Sequence, residues 1–163
     1  MPQPTELFTK AVQLARGEFY LDAIEQFRAV VEMEDAEGLA DDAVYNIGLC
    51  FFKMKAFQRA ARQFRRVIDE YPETTIAGEE CPGEFGRTAA KAHLGLLMCA
   101  LATGDLAEAD AQLAALEQYP GSYVLEGEEQ TRRTFHELGE ELIENYDEST
   151  VVGNEGRRMR KSE

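Results

Sequence analysis

The sequence lacks any long apolar run. No stretch approaches the roughly 18 consecutive apolar residues that a membrane-spanning helix needs, and the opening MPQPTELFTK has neither the basic start nor the apolar segment of a secretory signal. The cytoplasm is the expected compartment. Three cysteines, Cys50, Cys81 and Cys99, are an odd number without C-x-x-C spacing, as expected of reduced thiols. The two histidines, His93 and His136, have no cysteine or carboxylate at a ligand spacing, so no metal is expected. No serine sits in a G-x-S-x-G elbow, no glycine-rich loop follows a strand, and no strand is evident at all. No catalytic residue and no cofactor follow from the sequence. Basic residues are scarce as well, 17 against 31 acidic, for a net charge of −14. That balance argues against nucleic acid as a partner, because duplex binding rests on phosphate neutralisation, and favours basic peptides or basic protein faces. The same charge also keeps a helical protein soluble. Paired carboxylates such as Glu79-Glu80 and Glu140-Glu141 read as solvated faces in so acidic a chain.

What is present is helical periodicity. A chain of 163 residues, 44% of them hydrophobic, can bury one sizeable core, so a single domain over about residues 1–146 is expected. The stretch DDAVYNIGLCFFKMKAFQRAARQFRRVIDEYP, Asp41 to Pro72, carries two patterns broken once at Lys55-Ala56. Val44, Ile47, Gly48 and Phe51 recur at helical spacing in the first, and Phe57, Ala60, Phe64, Val67 and Ile68 in the second. Two amphipathic helices with those stripes must pack on each other, with Gly48 facing Ala60 and the phenylalanines filling the space around them. Pro72 stops the second helix.

The order Gly48, Phe51, Phe57, Ala60, Phe64, Pro72 resembles the tetratricopeptide repeat, a helical hairpin of about 34 residues with small, aromatic and proline positions at these offsets. The ending Glu-Tyr-Pro-Glu-Thr, with a second Tyr-Pro-Gly-Ser at Tyr119 to Ser122, is similar to repeats of bacterial envelope-assembly and Tol-Pal-associated proteins. The resemblance implies an all-α, right-handed superhelix of about three hairpins with a C-terminal capping helix.

Other parts of the chain repeat the central hairpin. Thr5 can cap a first helix to about Arg16, ended by Gly17. Tyr20, Ala23, Phe27 and Val30 then stand one repeat earlier than Phe57, Ala60, Phe64 and Val67, and the acidic link Glu32 to Asp42 lengthens the period. Thr88 starts a third hairpin, with Leu106, Ala109 and Leu113 on its second helix; here Leu97 occupies the small position and Gly95 lies two positions early. Repeats are thus expected at about 4–36, 41–72 and 88–120. The intervening residues 73–87, rich in glycine, proline and glutamate, read as a long loop that is either functional or a tolerated insertion, with Cys81 exposed in it. Glu79, Glu80 and Glu84 around Cys81 should raise its thiol pKa. A capping helix is expected over about 127–146, its outer surface formed by Glu128, Glu129, Glu137, Glu140, Glu141 and Glu144. Beyond it, 147–163 reads as a disordered tail with a basic cluster at Arg157, Arg158, Arg160 and Lys161.

The resemblance further implies a non-catalytic protein-interaction module. Its partner, a peptide or protein segment, would lie on the concave wall built by the first helix of each hairpin. Carried over by position, that wall comprises Phe8, Val12, Tyr45, Asn46, Leu49, Phe52, Lys53, Lys91, Leu94, Met98 and Leu101. The best-known variant of the family clamps a terminal carboxylate. Asn46 and Lys91 match two clamp positions, but Phe8, Val12 and Gly95 replace the others, so an apolar segment is the better ligand. The alternatives are that part of this wall is covered by the chain itself, that the protein is a secretion-type chaperone for apolar client segments, or that it is a self-associating scaffold. One further constellation, Arg59, Arg62, Arg65 and Arg66, is either a docking stripe for an acidic partner or, preferably, a solvated face balanced by Glu25, Glu32 and similar neighbours.

Overall fold

Proline at the first helical position needs no partner for its missing N–H, and that is how the chain begins: α1 runs from Pro4 to Arg16 with Gln3 before it. Thr5 therefore lies inside the helix and caps nothing, contrary to the expectation from sequence. The computed structural model describes residues 1–36 and 38–150, so the tail beyond and its arginines lie outside the described residues. Next come α2 (Tyr20–Glu32), α3 (Ala40–Lys53), α4 (Phe57–Glu70), β1 (Glu84–Phe85), α5 (Thr88–Thr103), α6 (Leu106–Leu116), β2 (Tyr123–Glu126), β3 (Thr131–Thr134) and α7 (Phe135–Glu144), with a short 3-10 turn at Glu148–Thr150. Gly104, at φ +81°, ends α5, and the Asp105 carboxylate accepts the Glu108 N–H to start α6.

A single amphipathic hairpin cannot bury its own apolar face, so hairpins stack. Each helix packs on the next, α1 on α2 through to α5 on α6, and α7 closes the series against α5 and α6. One apolar cluster runs from Phe8 through Phe27, Val44, Phe51 and Phe64 to Leu116 and Phe135, and Leu97, Ala100 and Ala109 form a smaller one. The fold is an all-helical repeat. Of the positions assigned to its core, Ala23, Phe27, Phe51, Ala60, Phe64 and Ala109 are buried. Phe57 and Leu113 are half-buried. Leu106 is 45% exposed at the first turn of α6, and Pro72 is exposed past the end of α4, so neither belongs to the core. The atoms nearest Gly48 on α4 are those of the Phe64 ring and the Cβ of Gln63.

Strands are the main departure from expectation. β1, β2 and β3 form one antiparallel sheet in that order, with Phe85 opposite Tyr123 and Tyr123 opposite Thr134. Residues 127–130 turn the β2–β3 hairpin, with Gly127 and Gln130 at positive φ. The expected capping helix thus begins only at Phe135, and Glu128 and Glu129 sit in the turn before it. Thr134 and Glu137 close a reciprocal capping box at its start, at 3.0 and 2.9 Å. The sheet ties residues 73–87 to the end of the array. That segment is not a free loop.

Candidate functional site

On α3, Asn46, Leu49, Cys50 and Lys53 share one face, and on α1, Val12, Ala15 and Arg16 share another. The two faces look at each other across a cleft of about 380 Å³, closed at one end by Glu18 and Tyr20. A second opening of about 460 Å³ continues along α1 past Thr5, Thr9, Val12, Gln13 and Arg16, with Glu79 and Glu80 as its far wall. Together they make a trough along α1, with Arg16 and Lys53 towards one end and two carboxylates towards the other.

Only part of the expected wall lines this trough. Val12, Asn46, Leu49 and Lys53 do. Phe8 borders the second opening, but at 1% exposed and edge-on to Phe27, with centroids 5.4 Å apart, it is packed into the core. Tyr45 lies against Phe64 at 5.4 Å and Phe52 edge-on to Phe57 at 5.3 Å, so both point to α4. Leu94 is buried, and Met98 and Leu101 are half-buried against the two apolar clusters. For the α5 positions the physical reason is coverage: α7 packs along α5, and residues 73–87 fold over the first turns of α3 and α5.

That fold-over is built on buried polar groups. Asp42 is fully buried, accepting the Ala77 N–H at 3.2 Å and the Cys81 S–H at 3.7 Å. Asp41 accepts the Thr88 hydroxyl, and Lys91, 5% exposed, pairs with Glu84 while its ammonium lies 4.3 Å from the Tyr45 ring centroid. Burial raises the Asp42 pKa to about 7, Asp41 adding to the rise and Lys91 opposing it. Asp41 is raised too, again by burial. For Lys91 burial pulls downwards, but Tyr45 and Glu84 outweigh it and hold the ammonium charged. Cys81, expected from sequence to be exposed, is buried; burial pushes its thiol up to about 12, with Asp42 and Glu84 adding to the effect. Cys50 and Cys99 are likewise buried and raised, to about 11 and about 12. Such thiols are poor nucleophiles. The two clamp-like positions are engaged: Lys91 with Glu84, and Asn46 as donor to the Asp42 carbonyl at 2.8 Å.

On the outer face, Arg65 lies 3.6 Å from Glu108 and Arg66 3.1 Å from Glu70. Glu25 and Glu32, expected to balance the stripe, share a hollow with Arg59. His93 bonds Gln112 at 2.7 Å, and His136 lies between Glu117 and Glu140. Sequence reasoning missed the Asp41, Asp42, Thr88 and Glu84 cluster. Its only signal was a pair of acids at the start of an otherwise apolar helix.

Stacked hairpins of this kind define a helical-repeat fold. Tetratricopeptide-repeat family models match residues 42–74, spanning α3 and α4, and 86–123, spanning α5 and α6. Those two stretches therefore carry tetratricopeptide repeats, which mark a protein-interaction module in general terms. No curated protein matches it. Among the described residues, no helix is long and apolar enough to cross a membrane.

Proposed function

We propose that this chain is a non-catalytic adaptor that holds a peptide or extended protein segment in the trough between α1 and α3. The observation that carries this reading is the pair of facing helix surfaces, Val12 and Ala15 of α1 against Asn46 and Leu49 of α3, which line the same cleft. The charges at the two ends set the direction of the ligand. A basic residue would meet Glu79 and Glu80, an apolar anchor would sit on Val12 and Leu49, and a carboxylate would meet Arg16 and Lys53. A chaperone holding an apolar client segment would use the same trough.

A photo-crosslinking residue at Lys53 should attach to the captured partner, and one at Asp22, on the exposed side of α2, should not. Leu49→Glu should abolish capture with helicity unchanged. Equal crosslinking from both positions would sink the proposal. A self-associating scaffold is the second reading, favoured by Phe19 and Leu21, which are 60% and 69% exposed beside each other. It predicts a concentration-dependent mass in solution that Leu21→Ser reduces to a monomer.

A further inference from the structure

Stacked hairpins leave a furrow on the outer side wherever two consecutive second helices flank the first helix between them. One furrow lies between α2 and α4 over Phe51. The other, about 350 Å³, lies between α4 and α6, with Leu96, Cys99 and Ala100 of α5 as its floor. Helix α4 walls both. From Phe57 to Ile68 its only charged residues are Arg59, Arg62, Arg65 and Arg66, in a chain where acids outnumber bases 31 to 17. Along that span of α4 the sign of the charge reverses.

What faces the arginines differs between the furrows. In the first, Glu25 and Glu32 line the same hollow as Arg28 and Arg59, so charge is balanced locally. In the second, Asp105 and Glu108 also stand against Arg62 and Arg65, but both acids are already engaged. The Asp105 carboxylate caps α6 by accepting the Glu108 N–H at 3.1 Å, and Glu108 accepts a bond from Gln112 at 3.4 Å and lies 3.6 Å from Arg65. Arg65 is 56% exposed, and an ion pair so open to water contributes little and is readily exchanged. Arg62 has no acidic partner among the described residues.

We propose that the α4–α6 furrow is a second interaction surface, separate from the inner trough, that takes an acidic protein segment carrying an apolar side chain. Carboxylates of the segment pair with Arg62 and displace Glu108 from Arg65, since a guanidinium fork binds a carboxylate through two parallel hydrogen bonds. The apolar side chain rests on Leu96 and Ala100 between Phe57 and Ala61. Small residues there keep the furrow shallow, fitted to one side chain rather than a row. A nucleic-acid backbone supplies the charge but no such anchor, and beyond the furrow it meets a body of net charge −14.

The test is the amide spectrum of the full chain titrated with three probes: a short peptide alternating glutamate and leucine, polyglutamate of equal length, and a single-stranded oligodeoxynucleotide. The alternating peptide should shift amides of α4 and α6 and bind roughly tenfold tighter than polyglutamate, the weight of one buried apolar side chain. Arg62→Gln with Arg65→Gln should weaken it by about tenfold or more, without change in thermal midpoint, and Leu49→Glu should leave it intact. Equal binding by the oligonucleotide, shifts confined to α1 and α3, an unaffected double arginine variant, or loss in Leu49→Glu would each overturn the proposal.

Discussion

Gly95 and Phe64 meet with no room for a methyl group between them, since a Cβ built on Gly95 would lie 2.7 Å from the ring. The opposite edge of the same ring abuts Gly48, where a Cβ would lie at 2.8 Å. One phenylalanine of α4 is thus wedged between the first helices of two successive hairpins. Gly95→Ala gains about 1 kcal/mol of helix propensity but overpacks a buried ring, at a cost of about 1–3 kcal/mol. The expected net result is a lower midpoint in denaturant, recovered in part by adding Phe64→Leu. Additive effects of the two substitutions would show that the wedge is not the cause.

That wedge also explains how much of the array is legible in the sequence. The central hairpin reads directly from its periodicity, because Gly48, Ala60 and Phe64 sit at family offsets. The third hairpin reads poorly because its small and large roles are exchanged. Leu97 stands where Gly48 stands and Leu113 where Phe64 stands, so a glycine–phenylalanine pair becomes a bulkier pair of leucines, packed around Ala109. Gly95 is not an early version of the hairpin glycine. It serves the preceding repeat. The sheet is hidden for a different reason: β1 has only two residues, and its pairing with β2 joins segments far apart in sequence. The β2–β3 hairpin does carry a signal, Tyr-Val-Leu and Thr-Arg-Arg-Thr around a glycine-containing turn, that the expectation of a continuous helix overrides. For the trough, the sequence points to α1, α3 and α5, of which α5 does not line it, and periodicity does not tell which face each helix leaves open. That depends on coverage by 73–87 and α7.

Tyr45 and Phe52 separate packing from binding. The family resemblance puts both on the open wall, and both instead lie against α4 aromatics. Tyr45→Ala should cost on the order of 3 kcal/mol of unfolding free energy, because it empties space beside Phe64 and exposes the Lys91 ammonium. Chemical denaturation followed by circular dichroism measures this directly. A variant with unchanged stability that loses its partner would return Tyr45 to the trough.

Stability should fall as the solution is made less acidic. The Asp42 carboxyl, raised by burial to about 7 from an ordinary 3.8, keeps its proton in the folded protein over a range where the unfolded chain has released it. Folding therefore takes up a proton between those values. Its contribution is greatest near the lower one and is lost as pH rises towards 7, at up to about 1.4 kcal/mol per pH unit. Asp41, also raised by burial, acts in the same direction. Asp42→Asn keeps an acceptor for the Ala77 N–H and removes the ionisable group. The difference in thermal midpoint between wild type and this variant should shrink as pH is lowered from 8 to 5. A difference independent of pH would mean that Asp42 remains ionised throughout.

Gly86 decides whether residues 73–87 are held to the array. Its φ is +103°, and a Cβ there would lie 2.5 Å from the Ser122 Cα and 2.4 Å from the Ser122 hydroxyl oxygen. That hydroxyl accepts the Arg87 N–H at 3.0 Å, and the Gly86 carbonyl accepts the Ile76 N–H at 2.8 Å. Gly86→Ala thus strains the backbone and drives it into the residues leading to β2, at a cost of at least about 2 kcal/mol. Because these hydrogen bonds all lie at one corner of the molecule, opening should be local. Amide exchange should accelerate at Ile76, Ala77 and Leu125, and the Cys81 thiol should become reactive to alkylation, while amides of α1 and α2 keep their protection. Freed of its anchor, the wall formed by Glu79 and Glu80 would no longer orient a ligand in the trough, so partner affinity should fall although neither helix face has changed. Uniform acceleration across all helices would show instead that the segment and the repeats unfold as one unit.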